Sequence, residues 1–180
     1  MKADMTFYTA QADIVLQTLE QDGIYYVKRA YVDGKYGQTA WIFRTAYAAM
    51  NRLMQQRLPR PQEAESPVWL YADPRWAGTS ADSHLLKLQV PADEIVTFDL
   101  RDWDRILNLS PIGTEEEIAA MEKEFARQGV AAFSDVFEKP YYPLLRQRIE
   151  RTWKQLLEKK EIPPQYLQGA VWCLKREWIH

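Results

Sequence analysis

The run TAWIFRTAYAAMNRLMQQRLPRPQEAESPVWLYA, residues 39–72, decides the fold class. Its first twenty residues place Phe43, Tyr47, Met50 and Met54 at spacings of four, three and four, and Ala46, Ala49 and Leu53 widen that stripe. The period is helical and predicts a helix over 39–58 with one apolar face. Pro59 and Pro61 end it, because proline has no N–H to give to a helix. A polar loop over 60–66 follows. Pro67 then opens Val68-Trp69-Leu70-Tyr71-Ala72, aromatic and branched residues that read as a strand. An amphipathic helix feeding an apolar strand is the unit of a layered α+β fold.

Toward the N-terminus, Thr6-Phe7-Tyr8-Thr9 reads as a strand and 12–21 as a helix with Val15 and Leu19 facing inward. Gly23 sits where a left-handed cap would close that helix. Ile24-Tyr25-Tyr26-Val27 reads as a second strand. Asp33-Gly34 and Tyr36-Gly37 are turn pairs, so 29–38 is expected to be a hairpin or loop.

Toward the C-terminus, 73–83 reads as a loop, 85–90 as a largely buried strand, and 94–98 as a fifth strand. Asp99 or Asp102 would cap a short helix carrying Trp103, Ile106 and Leu107. Thr114 and Glu117 form a capping box, ahead of an Ile118, Met121, Phe125 stripe that Gly129 would end. A helix is expected over 143–160 with Leu145, Ile149, Trp153 and Leu156 inward. After Pro163-Pro164, the 4–3–4 spacing of Leu167, Val171, Leu174 and Trp178 predicts a last helix. The expected fold is therefore α+β: a small mixed sheet of about five strands, a helical C-terminal half, and one domain over 1–180.

Composition narrows the function classes. The chain has 180 residues, a size at which one core suffices without a covalent staple. Its formal charge of -2 argues against a surface that coats nucleic acid or anionic lipid as a whole. The charge is unevenly spread: net +3 over 1–60, -9 over 61–140 and +4 over 141–180. Complementary packing of basic ends on an acidic middle would produce this, and so would a basic groove built from the two ends for a phosphate-bearing ligand. The first residues lead into no apolar signal region, and no apolar run approaches a spanning length. With Cys173 alone, a cytoplasmic setting and no membrane insertion are expected.

The chemistry-bearing residues are sparse. One Cys and two His cannot make a four-ligand zinc site. Asp73, Asp99, Asp102 and Asp104 could offer oxygens to a Mg²⁺, but Asp99, Asp102 and Asp104 form no EF-hand pattern and suit capping and solvent exposure better, so no metal is expected. The chain has no Gly-x-Ser-x-Gly elbow and no phosphate loop of Walker spacing. Seven Trp and ten Tyr are the unusual feature. Trp and Tyr build cores with one polar tip satisfied, and at strand ends they also stack on flat ligands. The carboxamides of Gln11 and Gln168 both donate and accept, so either could read the edge of a base.

Taken in order, these motifs resemble a family. Thr9-Ala10-Gln11, then Tyr47 and Met50 with Arg57, then Pro67-Val68-Trp69, then Trp103 with Leu107-Asn108, then Gln168-Gly169-Ala170-Val171-Trp172 with Leu174 are similar to the bacterial domain-of-unknown-function family numbered 3841, over nearly the whole chain. The resemblance implies a small, soluble, intracellular bacterial protein and brings no activity. It marks Gln11, Trp69, Trp103, Asn108, Gln168 and Trp172 as positions shared with relatives. Asp104 stands where the family often has His, and Tyr71 where it often has a second Trp. A role resting on that His would be missing from this chain.

Three readings follow. The first is a module binding a nucleotide or short nucleic-acid segment in an aromatic, Gln-lined pocket. Its residues would be Tyr8, Thr9, Gln11, Arg44, Trp69, Trp103, Asn108, Gln168 and Trp172, with Arg44 near a phosphate. The second is an enzyme using NAD, similar in element order to ADP-ribosyltransferases, with Tyr8, Thr9 and Glu94 as candidates. The third is an adaptor presenting an apolar groove with Trp153 and Trp178 to a protein partner.

Overall fold

The structure is a computed structural model that describes residues 3–180. Strand β1 (Asp4–Ala12) runs into helix α1 (Asp13–Asp22), and β2 (Ile24–Tyr25) follows. Gly23 closes α1 at φ 75°, its N–H reaching the Leu19 carbonyl. This is the left-handed conformation that a side chain would strain. Helices α2 (Arg29–Tyr36) and α3 (Ala40–Gln55) come next, then β3 (Val68–Tyr71), β4 (Ser83–Pro91) and β5 (Val96–Asp99). Helices α4 (Leu100–Leu107), α5 (Glu115–Arg127), α6 (Asp135–Glu138) and α7 (Pro143–Thr152) precede β6 (Leu167–Val171) and β7 (Leu174–Lys175).

The main sheet has five strands in the order β4-β1-β3-β6-β5. Every pairing in it is antiparallel, where a mixed sheet was expected. A separate ribbon pairs β2 with β7.

Three local expectations are corrected. Residues 29–36 are helix α2 and not a hairpin or loop, because Val32 is buried and Tyr36 stacks on Phe43 of α3 at 3.6 Å between ring centroids. Strand β4 lies at the sheet edge: Leu86, Leu88 and Val90 are buried while Leu85 is 46% exposed, the alternation of a strand covered on one face. The predicted last helix is absent. Residues 167–171 form β6, buried between β3 and β5, so the helical spacing there is a coincidence of a strand followed by a bend. The helical stretch thus covers 100–157 and not the whole C-terminal half.

The sheet separates two cores. Phe7, Val68, Leu70, Leu88 and Val171 pack on one face under Val15 and Leu19 of α1 and Trp178. Val96, Phe98 and Ala170 pack on the other, under Met50 and Met54 of α3, Trp103 of α4, Phe125 of α5 and Ile149 of α7. Each such fully buried side chain contributes roughly 1.5–3 kcal/mol. The capping box at Thr114 is formed in both directions.

Candidate functional site

Antiparallel register fixes which side chains stand side by side. Tyr8 of β1 pairs with Tyr71 of β3, Tyr71 with Gln168 of β6, and Gln168 with Phe98 of β5. These four form a row across the helix-covered face. Trp69, two residues along β3 from Tyr71, lies on the same face. Its ring stacks on Trp103 at 4.8 Å and meets Tyr47 at 5.2 Å.

Gln168 is 3% exposed, yet its side chain makes no hydrogen bond among the described residues. Among the described residues the fully buried polar side-chain atoms without a hydrogen-bond partner are on Asp33, Asn51, Ser66 and Trp178, so the unpartnered carboxamide of Gln168 keeps a narrow opening to solvent. Tyr71 and Phe98 stand directly opposite it, Tyr8 lies beyond Tyr71, and Tyr47 and Tyr36 extend the half-buried aromatic group from Trp69 and Tyr71. Burial, followed by the Tyr36 phenol, pushes the Tyr47 hydroxyl well above its ordinary value, with the Trp69 indole pulling the other way. Burial and Tyr36 likewise raise Tyr71. Both phenols are therefore neutral near pH 7, each able to donate and accept.

The structure gathers Tyr8, Trp69, Trp103 and Gln168 of the expected residues, and leaves the others elsewhere. Thr9 faces the opposite side of the sheet, where its hydroxyl donates to the Trp69 carbonyl and accepts from the Gln11 amide at 2.8 Å. Gln11 and Gln168 are thus on opposite faces and cannot share one pocket. Asn108 is exposed at the end of α4, donating to the Asp104 carbonyl. Trp172 is core, its indole donating to the Leu58 carbonyl beneath the Arg60 guanidinium. Arg44 is one helical turn from Tyr47 and sits 3.7 Å from Asp33.

Sequence reasoning left out Tyr36, Tyr47, Tyr71 and Phe98 as site residues. Tyr47 was legible on its helical stripe, but only cross-strand register brings Tyr71 and Phe98 beside Gln168.

The residues of the other readings have other partners. Glu94 is paired with Lys175, and Thr9 faces away from Tyr8, so Tyr8, Thr9 and Glu94 do not converge. Trp153 and Trp178 are both buried and belong to the two different cores, so they share no groove. Asp73 is held by Arg75, and Asp99 by Arg101 and Lys159. Burial pushes the Cys173 thiol up to about 11, with Lys175 pulling it down in part. Among the described residues no helix is long and apolar enough to cross a membrane.

Residues 6–180 match the family described as Domain of unknown function (DUF3841). The chain belongs to the DUF3841 family. No curated protein and no solved structure matches it. For this DUF3841 chain the aromatic row around Gln168 is the candidate site, drawn from β1, β3, β5, β6, α2, α3 and α4.

Proposed function

We propose that this protein is a ligand-binding module whose Gln168 row takes the base of a nucleotide or of a short nucleic-acid segment. The observation that carries this reading is the uncommitted carboxamide of Gln168, 3% exposed, in a row of aromatic side chains. A base edge presents paired donors and acceptors, which a carboxamide matches. Its face stacks on aromatic rings, a contribution of about 1–3 kcal/mol per base. Trp69 and Tyr47 supply rings, and the neutral phenols of Tyr47 and Tyr71 supply further donors. The row is uncharged from Tyr8 to Phe98, which suits a neutral head group, and it ends on Lys87 of β4 directly opposite Tyr8. A phosphate would lie outside the row, where Arg44 could exchange Asp33 for it.

The test is a thermal-shift screen against nucleosides, nucleotides, NAD, ADP-ribose and short single-stranded DNA and RNA. A ligand that binds only the folded state raises stability by about 2.7 kcal/mol at a hundredfold excess over Kd. The expected result is a rise with base-bearing compounds and none with ribose 5-phosphate. Equal rises with and without a base would overturn the reading. Consumption of NAD would replace it with the enzymatic one.

A further inference from the structure

The two basic ends of the sequence meet on the surface. Helix α3 ends the basic segment 1–60, and α7 opens the basic segment 141–180. Between them is a cavity of about 430 Å³ lined by Ala49, Arg52, Leu53 and Gln56 on one side and Gln147, Glu150, Arg151, Trp153 and Lys154 on the other. We infer that this cavity is a second binding site, for a small phosphate-bearing ligand.

Charge carries the argument. Three cations line the cavity, Arg52, Arg151 and Lys154, against one carboxylate, Glu150. Glu150 is already engaged by Arg146 on its own helix, at 3.4 Å. None of the three cations has a carboxylate within ion-pair distance among the described residues, although Arg75, Arg101, Arg148, Lys159 and Lys175 all do. Like charges converging on one concavity repel, and a bound anion relieves that repulsion.

Two other surface cavities lack this imbalance. One of about 690 Å³ is lined by Lys175 and Arg176 with Asp22 and Glu177, and Lys175 is paired with Glu94. One of about 440 Å³ has Lys123 beside Glu122.

The chemistry of the lining selects the ligand. Guanidinium groups on facing helices bind phosphate through paired N–H donors, and Gln56 and Gln147 add neutral amides at the rim. Leu53 and Ala49 supply an apolar wall for the organic part. The volume lies within the range of about 300–1,000 Å³ seen for small-molecule sites. Three cations against a chain of net charge -2 do not make a track for a long polyanion.

The experiment titrates pyrophosphate and glucose 6-phosphate into the full chain by calorimetry, at two salt concentrations, with glucose as the uncharged control. Binding of the phosphate compounds alone is expected, weaker at high salt. Arg52→Gln and Arg151→Gln should each weaken it about tenfold. Both residues are exposed, so the variants should melt at or above the wild-type temperature without ligand. Gln168→Leu should leave this binding unchanged, which separates the cavity from the aromatic row. No binding, binding unaltered in the double variant, or binding of an oligonucleotide in preference to both small phosphates would overturn the inference.

Discussion

Tyr71 and Gln168 are directly opposed across β3 and β6, with Phe98 on the other flank of Gln168. An amide on an interior strand between aromatic neighbours, with no protein partner, is the feature that a ligand would satisfy.

Gly169, next to Gln168 in β6, points to the opposite core. A Cβ there would lie 2.5 Å from the Ile95 Cδ1 and 3.3 Å from the Phe7 ring. Gly169→Ala is expected to destabilise by about 1–3 kcal/mol through overpacking. Urea denaturation measures this. Ligand response on the Gln168 face should survive in the variant.

Asp99 joins β5 to α4 as its N-cap, bonded to the Arg101 N–H and guanidinium and to Lys159 at 2.6 Å. Burial raises its pKa, but hydrogen bonds from Arg101 and Lys159 outweigh that and hold it at about 2, below its ordinary 3.8. A depressed carboxylate stabilises the fold fully above the unfolded value and loses that contribution as pH falls through the folded value. The contribution is about 2 kcal/mol, lost between about pH 4 and pH 2. Asp99→Ala should be destabilised at pH 7, and the gap from wild type should narrow by pH 2 in acid-unfolding curves.

Tyr47 gives the alkaline counterpart. Its phenol is raised by burial and by Tyr36, so the folded state holds the proton longer than the unfolded chain does. Stability is fully present below the unfolded phenol value near 10 and falls as pH rises above it. Tyr47→Phe should flatten that alkaline fall, followed by denaturation at pH 9 to 11. An unchanged slope would place the Tyr47 hydroxyl in contact with solvent.

Cys173 is buried and its thiol is pushed up to about 11. The thiolate is the reactive form, so a chromogenic disulfide reagent at pH 8 should label the folded protein far more slowly than the urea-unfolded chain.

How much of this was legible in the sequence depends on how local each signal is. Phe43, Tyr47, Met50 and Met54 place α3, and Thr114 with Glu117 places the start of α5, because those contacts lie within one or two helical turns. Strand β6 was misread because Leu167, Val171, Leu174 and Trp178 keep helical spacing while Gly169, Ala170 and Val171 are buried on both sheet faces, which removes the strand alternation. Helix α2 was misread because Gly34 and Gly37 signal turns, and only the packing of Val32 and Tyr36 against α3 overrides them. For the site, Gln168, Trp69, Trp103 and Tyr8 stood out by residue type. Tyr71 and Phe98 joined them only through register between strands far apart in sequence, and Gln11 left because alternation turns it to the other face.

The most direct test is Gln168→Leu, measured for melting temperature and for its response to the nucleoside and nucleotide panel. Leucine fills a similar volume and removes the uncommitted amide. The account predicts a variant at least as stable as wild type, by up to about 1 kcal/mol or roughly 2–4 °C, that no longer responds to a base-bearing ligand which raises the wild-type melting temperature. A variant that melts lower and keeps the wild-type ligand response would show that Gln168 serves the fold alone, and would contradict the account.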